Sequence, residues 1–268
     1  MRQQVIKSKG SLYRKSFFGR RYSQVFDLIM KDVPYESWAS YILDIAKSYA
    51  IHPLTILDIG CGTGTLISHL AGCGIHCTGV DQSLYMISQC RRNCQDIRPH
   101  PAFFCQKSWN LKLPYKSFDI IYSFFDTINY IIDEQLLLKT FQSVAHLLNK
   151  NGIFIFDVAT EYAFQNRLID QANLIQSQKI YYQWSSSYNP QTKICMIELR
   201  FDTIGTQKSK FSEIHFQRAY STKEIIDNLN ASGLRVFDIY DAFSFKSHMN
   251  NPDDERLTFV VGKLYQYA

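Results

Sequence analysis

A chain of 268 residues with 46% hydrophobic and 20% charged residues has the composition of a globular protein, not of a disordered one. At this length roughly three quarters of the unfolded surface can be buried, and no apolar stretch approaches the ~20 residues that a membrane-crossing helix needs. The net charge of +5 is local: Arg2 to Arg21 holds seven basic residues and no acid, so the rest of the chain is slightly acidic. A basic nucleic-acid-binding body is therefore excluded, which leaves residues 1–21 as a solvated tail and the one route to RNA or an acidic partner.

The seven cysteines form no C-x-x-C pair, so neither a zinc site nor a disulfide framework is expected. A reducing cytoplasm fits them best, although the tail, rich in Arg and Ser, also loosely resembles an organellar transit peptide.

Helical spacing of Val25, Phe26, Ile29, Met30, Trp38, Tyr41, Ile42 and Ile45, broken near Pro34, predicts two helices that form a lid over residues 22–53. Strand and helix patterns then alternate: a strand over 54–59, a helix to about Ala71, a strand over 75–80, a helix through Met86 to Asn93, and strands over 102–105 and 118–123. A helix from about Asp133 is predicted to end at a capping signal, Asn149 to Gly152, before a fifth strand at 153–158. Such alternation implies a parallel sheet with helices on both faces. The period then changes to two over 180–186, 193–203 and 210–220, followed by a helix over 221–232 and strands at 236–240 and 257–264. The expected organisation is a core at 54–160, an antiparallel substrate-binding insertion at 161–220, and a segment at 221–268 that completes the sheet.

The most informative stretch is Asp58-Ile59-Gly60-Cys61-Gly62-Thr63-Gly64-Thr65, a glycine turn between a buried strand and a helix. Glycine lets a backbone touch a ligand and take angles closed to other residues. The dinucleotide fingerprint wants glycine at the first, third and sixth positions, and the sixth is Thr65. Asp81 stands 21 positions after Gly60 at the end of the next strand, where its carboxylate can accept hydrogen bonds from both ribose hydroxyls.

Asp58 with Gly60-x-Gly62-x-Gly64 resembles motif I of the class I S-adenosylmethionine-dependent methyltransferases, and the frame resembles that class from about Tyr22 to Leu264. The phrases Tyr22-x-x-Val25-Phe26-Asp27, Asp126-x-x-Asn129-Tyr130, Tyr182-x-Trp184 and His215-x-x-Arg218-Ala219-Tyr220 resemble bacterial small-molecule N-methyltransferases. The resemblance implies a Rossmann-like, seven-stranded, mostly parallel sheet with a helical lid and an inserted antiparallel region. It also implies S-adenosylmethionine as cofactor, left as S-adenosylhomocysteine.

In that frame Asp58, Gly60, Cys61, Gly62 and Gly64 form the cofactor turn, Asp81 and Gln82 meet the ribose, and Met86 packs on the adenine. Lys107 stands where the family has an adenine-binding Asp, which passes that contact to Ser108 and Trp109. Ser123, Phe124 and Asp126 occupy the methionine end, Tyr22 the lid, and Asn129 the place where sugar N-methyltransferases carry a histidine. Strand alternation puts Glu213, His215 and Gln217 on one face, either as an acceptor wall with His215 taking a proton or as a solvent row. Trp184, Glu213, Arg218 and Tyr130 are the candidate substrate contacts, Trp184 being open also to plain sheet packing; His69 and His76 are read as structural.

These residues predict methyl transfer to a nitrogen, less favourably an oxygen, of a small metabolite, with His215, Asp126 and Asn129 as the catalytic groups. Methylation of RNA or protein, and a silent cofactor-binding sensor, are the alternatives.

Overall fold

The computed structural model describes residues 18–115, 117–175, 180–203, 210–248 and 251–263. Residues 1–17 of the basic tail, and Leu264 of the last expected strand, lie outside them.

Arg20–Ile29 (α1) and Tyr35–Ser48 (α2) come first, then Thr55–Ile59 (β1), Thr65–Gly72 (α3), His76–Asp81 (β2), Leu84–Asn93 (α4), Ala102–Cys105 (β3) and Phe118–Ser123 (β4). Glu134–Leu147 (α5), Leu148–Ala159 (β5), Glu161–Gln165 (α6), Gln171–Ile175 (β6), Ile180–Asn189 (β7), Ile194–Thr203 (β8) and Lys210–Arg218 (β9) follow. Thr222–Ala231 (α7), Leu234–Asp241 (β10) and Arg256–Lys263 (β11) close the chain.

One sheet has seven strands in the order β10-β11-β5-β4-β1-β2-β3. The pairs β5-β4-β1-β2-β3 are parallel, and β10 and β11 add antiparallel at one edge. A second, antiparallel sheet runs β6-β7-β8-β9, so the fold is the Rossmann-like one with an inserted antiparallel region. Strands buried on both faces read as continuous apolar runs, and 56–59 and 152–159 are buried throughout. On one face α2 and α3 supply Ile42, Ile45, Ile67 and Leu70; on the other α5 and α7 supply Phe141, Val144, Ile225 and Leu229.

Two expectations change. The lid splits in two, because Ile42 and Ile45 of α2 are fully buried in the main core, while α1, joined by Tyr35 at the start of α2, packs with the second sheet. The supposed cap at Asn149–Gly152 is already strand: α5 ends at Leu147, and β5 begins at Leu148, opposite Phe118. Gly152 is needed for closeness, since a Cβ there would lie 2.8 Å from the Asp119 carbonyl.

Among the described residues no helix is long and apolar enough to cross a membrane. His69 and His76 are exposed and carry no core packing.

Candidate active site: a cleft at the carboxyl ends of the parallel strands

In open α/β sheets, ligands bind beyond the carboxyl ends of the strands. Here a cleft of about 1130 Å³, open mouth included, lies in that place.

Its floor is the glycine turn. Gly60 and Gly64 have φ of 85° and 83°, and a Cβ on either would strike a neighbour: Thr127 Cγ2 at 2.5 Å from Gly60, Cys90 Sγ at 2.4 Å from Gly64. At Gly62 a Cβ would meet only Phe26 at 3.9 Å, so this backbone faces the open cleft. The Gly60 and Cys61 N–H groups donate to the Val80 carbonyl at 2.8 and 3.0 Å, which ties the turn to β2.

At the end of β2, Asp81 accepts from the N–H of Gly62 at 3.1 Å and of Ser83 at 2.7 Å. Burial pushes its carboxyl up to about 6, although those two N–H groups pull it down. Ser83 caps α4 by accepting from Met86 N and donates to the Phe18 carbonyl at 2.6 Å. Thus the strap leading into α1 is fastened beside Asp81. Asp27 completes the attachment by accepting from Thr63 Oγ1 and from Asn93 Nδ2.

After β4, Phe125 and Asp126 both have left-handed backbones, φ 65° and 57°, a conformation that costs about 1–3 kcal/mol at a non-glycine residue. Arg256 forms ion pairs with both Asp126 and the fully buried Asp157, and the Asp126 N–H donates to Asp157 at 3.3 Å.

The opposite wall is the second sheet, which presents Trp184, Ile197, Leu199 and Gln217. Tyr130 stands between the walls. Its hydroxyl is 3.1 Å from His215 Nδ1, and His215 Nε2 is 3.0 Å from Glu213. An ionised carboxylate only accepts, so Nε2 carries the hydrogen and Nδ1 is left to accept from Tyr130. Glu213 also accepts from Gly19 N at 2.8 Å. Burial raises the Tyr130 phenol above its ordinary range, with Asp126 adding to it and a bond from Gln217 opposing.

The cleft brings together Tyr22, Gly60, Gly62, Asp81, Gln82, Met86, Ser108, Trp109, Asp126, Tyr130 and Trp184 from the expected set. Cys61, Gly64 and Asp58 support the turn from behind. Burial lifts Asp58 to about 8 against a hydrogen bond from Tyr122 at 2.8 Å.

Others are displaced from their expected roles. Asn129 is fully buried and its amide is saturated, donating to the carbonyls of Ala159 and Arg218 and accepting from Ala159 N, so it clamps strands and has no free atom for chemistry. The Ser123 hydroxyl donates to Ile59 O at 2.8 Å, and Phe124 packs among Trp38, Tyr122 and Phe243. Arg218 is paired with Glu134 and Glu224, away from the cleft. His215 does not line the cleft but packs behind its lining residues Phe18, Tyr22 and Tyr130, and Glu213 stands behind His215.

Sequence reasoning missed Phe18, Phe26, Gln106, Thr127 and Ile169 as lining residues. It also left Gln217 open to solvent, whereas it is 3% exposed. A separate cluster, Asp241, His248 and Asp254, could offer metal ligands, but the Lys246 ammonium already sits 2.7 Å from Asp241.

A family described as the methyltransferase domain matches residues 56–152, the stretch from β1 into β5. A Geobacillus sp. (strain WCH70) protein, provisionally named a methyltransferase, is 29% identical over 89% of this chain and 96% of its own. An S-adenosylmethionine-dependent methyltransferase structure from Clostridium acetobutylicum ATCC 824 superposes with a TM-score of 0.79, at 28% identity, over 91% of this chain and 98% of that one.

Residues 56–152 thus form a methyltransferase domain, and the protein is an S-adenosylmethionine-dependent methyltransferase. The methyltransferase shares its fold, at 16% identity and a TM-score of 0.74, with the sugar N-methyltransferase KedS8 from Streptoalloteichus sp ATCC 53650, over 96% of this chain and 99% of that one. S-adenosylmethionine is its cofactor, and the cleft fits it: the open backbone at Gly62, the carboxylate of Asp81 and the apolar flank of Met86 meet in one place.

Proposed function

We propose that the methyltransferase acts in the cytoplasm on a nitrogen of a small metabolite that lies between Tyr130 and the second sheet. The observation carrying this reading is the buried chain Tyr130–His215–Glu213, which leads a proton out of a cleft roofed by α1. Asp81 and Gln82 would hold the ribose, Met86, Ser108 and Trp109 the adenine, and Gly60, Tyr22 and Asp126 the methionine end.

Bound S-adenosylmethionine would supply a methyl on positive sulfur, which an acceptor lone pair would take while the C–S electrons stay on sulfur. Tyr130 Oη takes the nitrogen's proton as its own proton passes to His215 Nδ1, and Glu213 steadies the imidazolium. A wall that excludes water and orients the pair supplies much of the remaining rate. The roof of α1, which sets Tyr22 and Phe26 over the cleft, favours a small acceptor over RNA, for which the tail at residues 1–21 is the only support.

The test is an amine screen by mass spectrometry with the parent protein and with His215→Gln. Loss of a relayed base is expected to lower kcat about 10²–10⁴-fold while S-adenosylhomocysteine still binds. Equal turnover by the variant would remove His215 from the mechanism, and methylation of RNA but of no amine would overturn the reading.

A further inference from the structure

The acceptor half of the cleft is chemically one-sided. Its wall is mainly apolar, through Phe125, Ile169, Ile197 and Leu199, and no Lys, Arg or His is among the described residues that line the cleft. The two lining carboxylates are engaged, Asp81 with backbone N–H groups and Asp126 with Arg256. Two polar atoms are not engaged: Trp184 Nε1 and Gln217 Oε1 are buried without a hydrogen-bond partner. Buried polar groups are ordinarily paired, and an unpaired one destabilises the fold. Both residues line the cleft, one offering an N–H and the other a carbonyl.

We infer that the acceptor is an apolar amine without phosphate or carboxylate, which presents a carbonyl-type oxygen to Trp184 and an N–H or O–H to Gln217. A primary amide on an aryl or alkyl frame carries both kinds of partner atom. An anion carried into this wall would lose its water with no lining cation to replace it, whereas an amide offers partner atoms of the kinds that the orphaned groups lack. The inference rests on the small-molecule reading given above.

The full chain is assayed with S-adenosylmethionine and four matched amines: 4-(2-aminoethyl)benzamide, 2-phenylethylamine, 4-(2-aminoethyl)benzoate and O-phosphotyramine. The expected order of kcat/KM places the benzamide first and the two anions at least about 100-fold below it. In Trp184→Phe, and separately in Gln217→Leu, the benzamide-to-phenylethylamine ratio is expected to fall about tenfold, the order of one lost hydrogen bond. S-adenosylhomocysteine binding verifies that each variant is folded, and Gln217→Arg, which adds a cation, is expected to raise the benzoate relative to the benzamide.

Preference of the parent for either anion overturns the inference and leaves the small-molecule reading standing. So does a benzamide that is neither methylated nor bound beside S-adenosylhomocysteine while another amine is turned over. Methylation of RNA or protein with no amine turned over overturns both.

Discussion

Replacing Asp81 by Asn nearly keeps the shape and removes the charge, and it is expected to move stability and cofactor affinity in opposite directions. Burial raises the Asp81 carboxyl from 3.8 to about 6. The folded protein therefore holds this proton to higher pH than the unfolded chain does. Its contribution is fully present below about 4 and is lost as pH rises through 6, at ~1.36 kcal/mol per unit, so up to about 3 kcal/mol in all. The Asn variant escapes that loss but accepts one fewer backbone N–H, about 1 kcal/mol, and should be about 1–2 kcal/mol more stable than the parent at pH 7. Cofactor affinity should fall, because the bonds from the ribose hydroxyls to a carboxylate are charge-assisted; losing them costs about 1.5–3 kcal/mol, or about 10- to 150-fold in Kd. Calorimetric titration with S-adenosylhomocysteine from pH 5 to 8, beside urea unfolding, measures both. The parent's affinity should weaken below pH 6 and the variant's should be flat. Equal affinity with the same pH slope in both proteins would refute this role for Asp81.

Three further substitutions probe the support of the site. Gly64→Ala should destabilise the protein by several kcal/mol, because its Cβ falls 2.4 Å from Cys90 Sγ; adding Cys90→Ala should recover part of the loss and leave the left-handed backbone cost of about 1–2 kcal/mol, and no recovery in thermal melts would mean that the clash is not the cause. Asn129→Ala removes three hydrogen bonds, two of them buried, and should cost about 3 kcal/mol of stability; a variant that melts like the parent yet loses turnover would return Asn129 to catalysis. Tyr122→Phe leaves Asp58 without its hydroxyl donor, which should cost about 1–3 kcal/mol and raise the Asp58 carboxyl further above 8; an unchanged unfolding midpoint at pH 7 would contradict that.

The parallel sheet was legible because strands buried on both faces leave mainly apolar runs, as at 56–59 and 118–123, and the edge strand 102–105 is apolar as well. The cofactor turn was legible because three left-handed positions demand glycine at Gly60, Gly62 and Gly64. What failed was whatever depended on side chains meeting across the fold. Asn129 looks like a free polar group in one dimension, and only the return of Ala159 and Arg218 saturates it. Gly152 looked like a cap because a glycine needed for closeness and one needed for a left-handed turn are the same letter. The pairing of His215 with Tyr130 spans 85 positions and leaves no local signal. The alternation of Glu213, His215 and Gln217 did give the correct face, but not whether that face was wet.

Hydrogen exchange of the full chain with and without S-adenosylhomocysteine tests the location of the site most directly. The account predicts slowed exchange at residues 60–64, 81–86 and 106–109 and in α1 (Arg20–Ile29), with the outer edge at β10 (Leu234–Asp241) unaffected. Protection absent from the glycine turn and Asp81, or confined to the Asp241–His248–Asp254 cluster, would contradict it.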